Sequence, residues 1–279
     1  MIIVNSNGGQ LCNKIWSYAA MVAYSLRFKT SLYILDFDDY IPFFENLKSL
    51  PNVHFVKNKY LKKSIRLLVR IYIRILPTSQ FNYSQKCNGI FSCNGWEFRT
   101  ESLLLSEYRD SVCKLFTPQS KFVLGCANFI NSIRNERVLV GVHIRRKDYK
   151  NHLNGAYFFD NEIYYSKMLA LNDEIINKLN KSVAFVICSD EKVIMSDFSE
   201  LNCYQLKDAS SIEDLYCLAK CDYIIGVPST FSMWASFYGR VPLCFLDSKS
   251  KEVELNQFKV IEAVDRFVDG SFFEHSIEI

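Results

Sequence analysis

VLVGVHIRRKDY, residues Val138–Tyr149, is the stretch on which the reading of this chain turns. A continuous apolar run ends abruptly in His143, Arg145, Arg146 and Asp148. Val138–Ile144 reads as a strand buried on both faces, as strands inside parallel sheets are. Ligands of open α/β sheets bind just beyond the carboxyl ends of such strands. Two guanidiniums at that point suit a diphosphate, because Arg stays charged and meets phosphate oxygens two at a time. Strand alternation puts His143 and Arg145 on one side and Arg146 on the other.

Working outward, the chain alternates strand and helix patterns. Met1–Asn5 reads as a strand, and Gly8–Gly9 leads into a helix over about Leu11–Phe28, with Leu11, Ile15, Ala19, Val22 and Leu26 at helical spacing. Ser31–Leu35 reads as a second strand. The region from Asp36 to Gln80 is less regular, and Phe81–Gly95 is polar and loop-rich. Beyond Val138–Ile144 the pattern predicts a helix near Asn161–Leu171, strands Val183–Cys188 and Cys203–Leu206, and a helix Ile212–Cys221 with Ser210 and Glu213 in capping-box register. Strand Tyr223–Val227, helix Phe231–Tyr238 and strand Pro242–Leu246 complete it. This βαβ rhythm predicts an α/β protein whose carboxyl-terminal half is a doubly wound parallel sheet. The domain boundary is placed near residue 135, giving an α/β domain over 1–135 and a Rossmann-like domain over 136–279.

Three strand ends of the second half then share one edge of the sheet. They are His143–Asp148, Cys188–Glu191 and Gly226–Thr230, the last immediately before a helix. Backbone N–H groups and hydroxyls at that helix start form a ready anion receptor. Asp190 is placed to accept hydrogen bonds from a base or ribose. Together these elements suit a nucleoside-diphosphate ligand.

The bulk numbers narrow the class. The 279 residues are 49% hydrophobic, ample for a core, and the net charge is only +3, which does not argue for a nucleic acid partner. The ten cysteines include no CxxC pair and no zinc spacing, and several lie in apolar strand-like runs where a reduced thiol packs as a small hydrophobe. The amino terminus has only a short apolar stretch, and no run reaches bilayer-spanning length. The expectation is a reducing, cytoplasmic setting.

Four ordered blocks resemble the α-1,2-fucosyltransferase family, within the wider superfamily that uses GDP-fucose. GVHIRRKDY resembles its HxRRxD signature, and GQLCNKIWSYA, Gly9–Ala19, is similar to its amino-terminal GGLGNQMFQYA pattern. Ile187–Asp190 resembles an FSDD-like segment. Asp214–Trp234 resembles the block that ends in S-T-F-S-W-W. The resemblance implies two facing Rossmann-like domains of GT-B type, a GDP-fucose donor, a glycan acceptor held on the amino-terminal side, and no metal or other cofactor. It implies that Arg145 or Arg146 holds the β-phosphate, with His143 and Asp190 near the guanine nucleoside. Ser229, Thr230 and Ser232 would line the phosphates or sugar, and Asn13 would face the donor from the first domain. Inverting transfer would give an α-linked, and by resemblance α-1,2-linked, fucose. Cys12, Lys14 and Met233 depart from the family pattern.

Such a transfer needs charge stabilisation on the departing diphosphate and a proton acceptor for the attacking hydroxyl. Asp148, Asp160 and Glu162 are the candidate acceptors, and the sequence does not choose among them. Plainer readings stand beside each assignment: arginines paired with carboxylates, Ser229 and Thr230 as helix caps, Asn13 as a turn residue, His143 as a core histidine, and Asp190–Glu191 as a helix cap. Asp148 equally suits orienting an arginine. Asp36-Phe37-Asp38 is formally a DxD motif, and a metal-dependent glycosyltransferase using that pair is the alternative enzyme class. A nucleotide- or glycan-binding protein without transfer is the non-enzymatic one. Lys62–Leu76, KKSIRLLVRIYIRIL, aligns Arg66, Arg70 and Arg74 in one basic stripe. That stripe suits either a solvated cationic face or peripheral contact with the inner face of a membrane, where lipid-linked acceptors are found.

Overall fold

The computed structural model describes residues 1–6, 9–75, 84–86, 88–94, 102–250, 252–264 and 266–271. The chain forms two compact units, Met1–Gln119 with Glu262–Val264, and Ser120–Ile261 with Asp265–Ile279. Each is built on its own parallel sheet.

The first unit holds strands β1 (Ile2–Ser6), β2 (Leu32–Ile34), β3 (Val53–Phe55) and β4 (Phe91–Asn94), in the order β3-β2-β1-β4 and all parallel. Helix α1 (Leu11–Phe28) connects β1 to β2 and is buried around most of its circumference, which explains its largely apolar sequence. It ends at Lys29 in the left-handed conformation (φ 51°), whose N–H is bonded to the carbonyl of Ser25. Helix α2 (Lys59–Ile75) follows β3, and α3 (Ser102–Glu107) and α4 (Arg109–Leu115) follow β4.

The region from Asp36 to Gln80 is more ordered than its pattern conveys, since its described residues, to 75, include β3 and the 17-residue helix α2. The loop-rich segment Phe81–Gly95 contains β4, which pairs with β1 from Ile2↔Phe91 onward. FSCN has no strong strand pattern, and its conformation comes from the ladder it completes, a tertiary effect. Gly8, 76–83 and Gly95 lie outside the described residues.

The second unit opens with α5 (Ser120–Arg134), ahead of the position expected for the boundary. Its sheet runs β7 (Cys203–Tyr204), β6 (Val183–Ser189), β5 (Val138–Ile144), β8 (Tyr223–Gly226), β9 (Leu243–Phe245), all parallel. Every residue of β5 is buried, as its unbroken apolar reading requires. Connections run outward from β5 in both directions, so the strand order reverses between β5 and β8. A crevice opens at the carboxyl edge of a parallel sheet where its order reverses. The doubly wound sheet expected from the sequence is therefore present.

Helix α6 (Asn161–Leu179) is eight residues longer than the pattern predicts. Its extension carries the Glu174–Lys178 pair at 2.5 Å, leaves Ile176 and Leu179 exposed, and stops at Asn180 in the left-handed conformation (φ 51°). Helix α7 (Ser211–Leu218) begins at the expected box, with Glu213 accepting from the Ser210 backbone N–H at 2.9 Å. Helix α8 (Thr230–Gly239) follows β8, and the small ribbon β10 (Ile261–Ala263) with β11 (Arg266–Phe267) closes the described chain. No helix among the described residues is long and apolar enough to cross a membrane. The nine described cysteines are all free thiols.

Candidate functional site

The parallel register sets His143 of β5 beside Cys188 of β6 and Gly226 of β8. The three strand ends therefore meet at one edge, and direct contacts tie them together. The Asp190 carboxylate accepts from the Arg146 backbone N–H at 3.0 Å, and the Asp190 N–H donates to the Ile144 carbonyl at 3.3 Å. Across the other side, the Tyr149 hydroxyl donates to the Pro228 carbonyl. The His143 ring stacks on Phe231 in the first turn of α8, 4.8 Å between centroids and 24° from parallel.

The two adjacent arginines have different surroundings. Arg146 is buried and spans the loop beneath. Its Nε donates to the Phe159 carbonyl at 2.7 Å, Nη1 to Glu191 at 3.0 Å and Nη2 to Asn161 at 2.5 Å. Those bonds use its fork inside the protein. Arg145 instead meets one carboxylate, donating from Nε and Nη2 to Asp148 at 3.0 and 2.7 Å, with its guanidinium 5.1 Å from the centre of the Tyr149 ring. Asp148 is more than half exposed on its side chain. Burial works to raise its pKa, but the hydrogen bonds and charge of Arg145 outweigh that and hold it below the usual carboxylate range.

His143 is buried and its Nδ1 has no hydrogen-bond partner. Burial, reinforced by the Arg145 charge and opposed by Asp148, pushes its pKa down to about 3. The imidazole is neutral at the floor of the site. Gly226 is the residue that lets it lie there, because a Cβ at that position would come within 2.8 Å of the His143 Cβ and 2.9 Å of its carbonyl oxygen.

At the α8 terminus, Ser229 is the N-cap and its hydroxyl accepts from the Phe231 N–H at 3.3 Å. Ser232 is fully buried and donates back to the Ser229 carbonyl at 3.1 Å. Thr230 is buried beside them. These three hydroxyl residues build the helix start, where backbone N–H groups give a partial positive charge.

Asn13 lies in the first unit on α1. Its amide covers Gly9, whose φ of 92° and lack of a Cβ allow that approach. The Asn13 carbonyl accepts from the Ser17 hydroxyl at 2.9 Å. Lys14, one of the departures from the family pattern, is buried and pairs with Asp36 at 2.6 Å, while the Tyr18 hydroxyl donates to the Asp36 carbonyl at 2.6 Å. Lys62 pairs with Asp38. Both carboxylates of the DxD sequence thus face ammonium groups. No group of three metal-ligating side chains occurs among the described residues. Of the remaining proton-acceptor candidates, Asp160 caps α6 by accepting from the Ile163 N–H at 3.0 Å, and Glu162 is exposed in the first turn.

Tyr149, Phe159, Asn161 and Phe231 shape this edge, and the sequence reading assigned none of them a role. The Phe159 contribution is a backbone carbonyl, which no side-chain pattern can signal. Tyr149, closing the arginine motif, was the one with a local cue.

The model of glycosyl transferase family 11 matches residues 8–241. A comparison with curated protein sequences finds no match. Among solved structures, the chain is similar to the NodZ alpha-1,6-fucosyltransferase soaked with GDP-fucose, with a TM-score of 0.56 at 16% identity, covering 92% of this chain and 96% of that one. Another NodZ structure, from Bradyrhizobium, matches at TM-score 0.55 and 17% identity over 88% of this chain and 96% of that one. A mutant of FUT1 from Arabidopsis thaliana in complex with GDP matches at TM-score 0.58 and 10% identity, over 100% of this chain and 80% of that one. At these identities the likeness is one of fold, the GT-B-like arrangement of two parallel α/β sheets. With the family model spanning most of its length, the chain belongs to glycosyl transferase family 11 and is a glycosyltransferase.

Proposed function

We propose that the protein transfers L-fucose from GDP-fucose to a glycan hydroxyl, with inversion and α-1,2 linkage, and without a metal ion. The observation that carries this reading is the convergence of Arg145, the α8 start and the neutral His143 at the reversal point of the second sheet. Family membership supports the linkage, and the GDP and GDP-fucose bound to NodZ and FUT1 support the donor.

On this reading the second unit holds the donor and the first serves the acceptor. Arg145 engages the diphosphate, swinging from Asp148 or sharing it, because its only described ionic partner is largely solvated. Arg146 takes no phosphate; its fork is committed to Phe159, Glu191 and Asn161, so it sets the loop that presents Arg145. Asp190 positions that same loop through the Arg146 N–H. The N–H groups at the start of α8, ordered by Ser229 and Ser232, face the charge that gathers on the departing GDP. Within the first unit, Gly9 leaves room for the Asn13 amide, the residue that the family resemblance assigns to the donor. Asp148, held ionised by Arg145, serves better as an orienting group than as a base, since a depressed pKa weakens proton affinity. The pairing of Asp36 with Lys14 and of Asp38 with Lys62 favours a metal-independent route, as each carboxylate already has a cation.

Calorimetry in EDTA with GDP-fucose, GDP-mannose and UDP-glucose tests the donor, followed by NMR of the linkage formed on galactose-terminated acceptors. Selective GDP-fucose binding and transfer in EDTA are expected. Binding of UDP-glucose alone, or activity that requires restored Mn²⁺, would overturn the reading.

A further inference from the structure

Helix α2 has six basic residues and no acidic one, and its surface is organised in three bands. The band facing the sheet is occupied by Ile65 and buried Val69, with Lys62 tied to Asp38 and the Arg66 Nε donating to Asn5 at 2.7 Å. A second band presents Lys59, Lys63 and Arg70, all exposed. The third band is apolar and open. Tyr60 (68% exposed), Leu61 (50%), Leu67 (58%), Leu68 (63%) and Ile71 (44%) recur at i, i+1, i+7, i+8 and i+11, along one side of the helix. Leu61, Leu68 and Ile71 also line an apolar cavity of about 490 Å³, walled on the sheet side by Ile3, Tyr33 and Ile90.

Neither band alone would specify a partner. A cationic face in water is ordinary, and single exposed leucines are common. Five large apolar side chains in one row, bordered by exposed cations and with no anion on the helix, are a different case. Their natural complement is apolar at depth and negative at its surface. We infer that α2 is a docking surface for an anionic phospholipid bilayer, lying in the headgroup plane with its open apolar band inserted. Lys59, Lys63 and Arg70 then meet the headgroups, and the cavity behind Leu61 and Leu68 adds apolar surface at the same place. This holds whatever the sugar donor, because no residue of the nucleotide-site cluster lies on α2. It implies that the enzyme meets acceptors displayed at a membrane surface.

Co-flotation of the full chain with phosphatidylcholine vesicles, and with vesicles containing phosphatidylglycerol, tests this. Binding to the phosphatidylglycerol vesicles is expected, weakened by raised salt and far above that to phosphatidylcholine alone. Lys63→Glu/Arg70→Glu should weaken it by about fivefold or more for each cation lost. Leu67→Glu/Leu68→Glu should weaken it by about tenfold or more, and both pairs are exposed enough for circular dichroism and thermal unfolding to match the wild type. Failure of the wild type to float, equal binding to both vesicle types, or wild-type binding by the leucine variant would each overturn the inference. A dimer that the leucine substitutions dissolve, with no vesicle binding, would assign the band to a second copy and overturn it equally.

Discussion

Arg145 and Asp148 are joined by two parallel hydrogen bonds, Nε to Oδ1 at 3.0 Å and Nη2 to Oδ2 at 2.7 Å. The Arg145 side chain is 17% exposed and that of Asp148 56%, so solvent screens the pair from the carboxylate side. Such a pair contributes only ~0–1 kcal/mol to folding, so its geometry bears on ligand binding rather than on stability. Arg145→Ala should therefore unfold in urea near the wild-type midpoint, yet bind GDP about 30-fold more weakly in calorimetry, the loss of one to two charge-assisted contacts. Arg145→Lys should recover little of this, since an ammonium lacks the two-pronged fork. Asp148→Asn should lose about tenfold in transfer rate through a mobile Arg145, with the acid limb of its pH profile unchanged. Loss of that limb would make Asp148 the proton acceptor.

Arg146 predicts the opposite pattern. Its substitution by Leu removes three side-chain bonds and leaves the Phe159 carbonyl and Asn161 to find other partners. A stability loss of about 3 kcal/mol is expected from urea unfolding. A fully stable Arg146→Leu protein that fails to bind GDP would instead make Arg146 the phosphate ligand.

Buried His143 and partly buried Asp214 set opposing pH dependences. His143 is pushed down to about 3, chiefly by burial, so it takes up a proton on unfolding. Its contribution to stability is full above the ordinary histidine value of about 6.5 and shrinks as pH falls toward 3. Burial pushes Asp214 up to about 7, so its contribution is full below the ordinary value of about 4 and is lost as pH rises to 7. Between those ordinary values the two slopes oppose one another, each at most about 1.4 kcal/mol per pH unit. Relative to the wild type, His143→Phe should grow less stable as pH rises through this window. Asp214→Asn should grow more stable. Urea unfolding across the pH series checks both signs, and parallel curves for all three proteins would contradict the assignment.

Gly226→Ala would place a Cβ against the His143 backbone rather than against a movable side-chain tip. It should cost about 1–3 kcal/mol and weaken GDP binding by shifting the β5 end from the α8 start. Unchanged unfolding and calorimetry would show that the two strand ends have slack.

The sequence alone determined the second sheet. β5, β6, β8 and β9 are short, apolar and punctuated by turn residues, and strands buried on both faces leave no other pattern for those segments to fit. It also determined that the strand ends bearing His143, Asp190 and Ser229 share one edge, because parallel strands joined by crossover helices must present the same end. The tertiary structure decided the rest. Which of two adjacent arginines points outward depends on the Phe159 carbonyl, Glu191 and Asn161, groups 13, 45 and 15 residues away in the chain. The identity of β4 depends on the ladder offered by β1, and the pairing of Asp36 with Lys14 on a helix packed beside a strand end. Local periodicity reports which face of an element is buried; what a charged side chain finds there is settled only when distant segments meet.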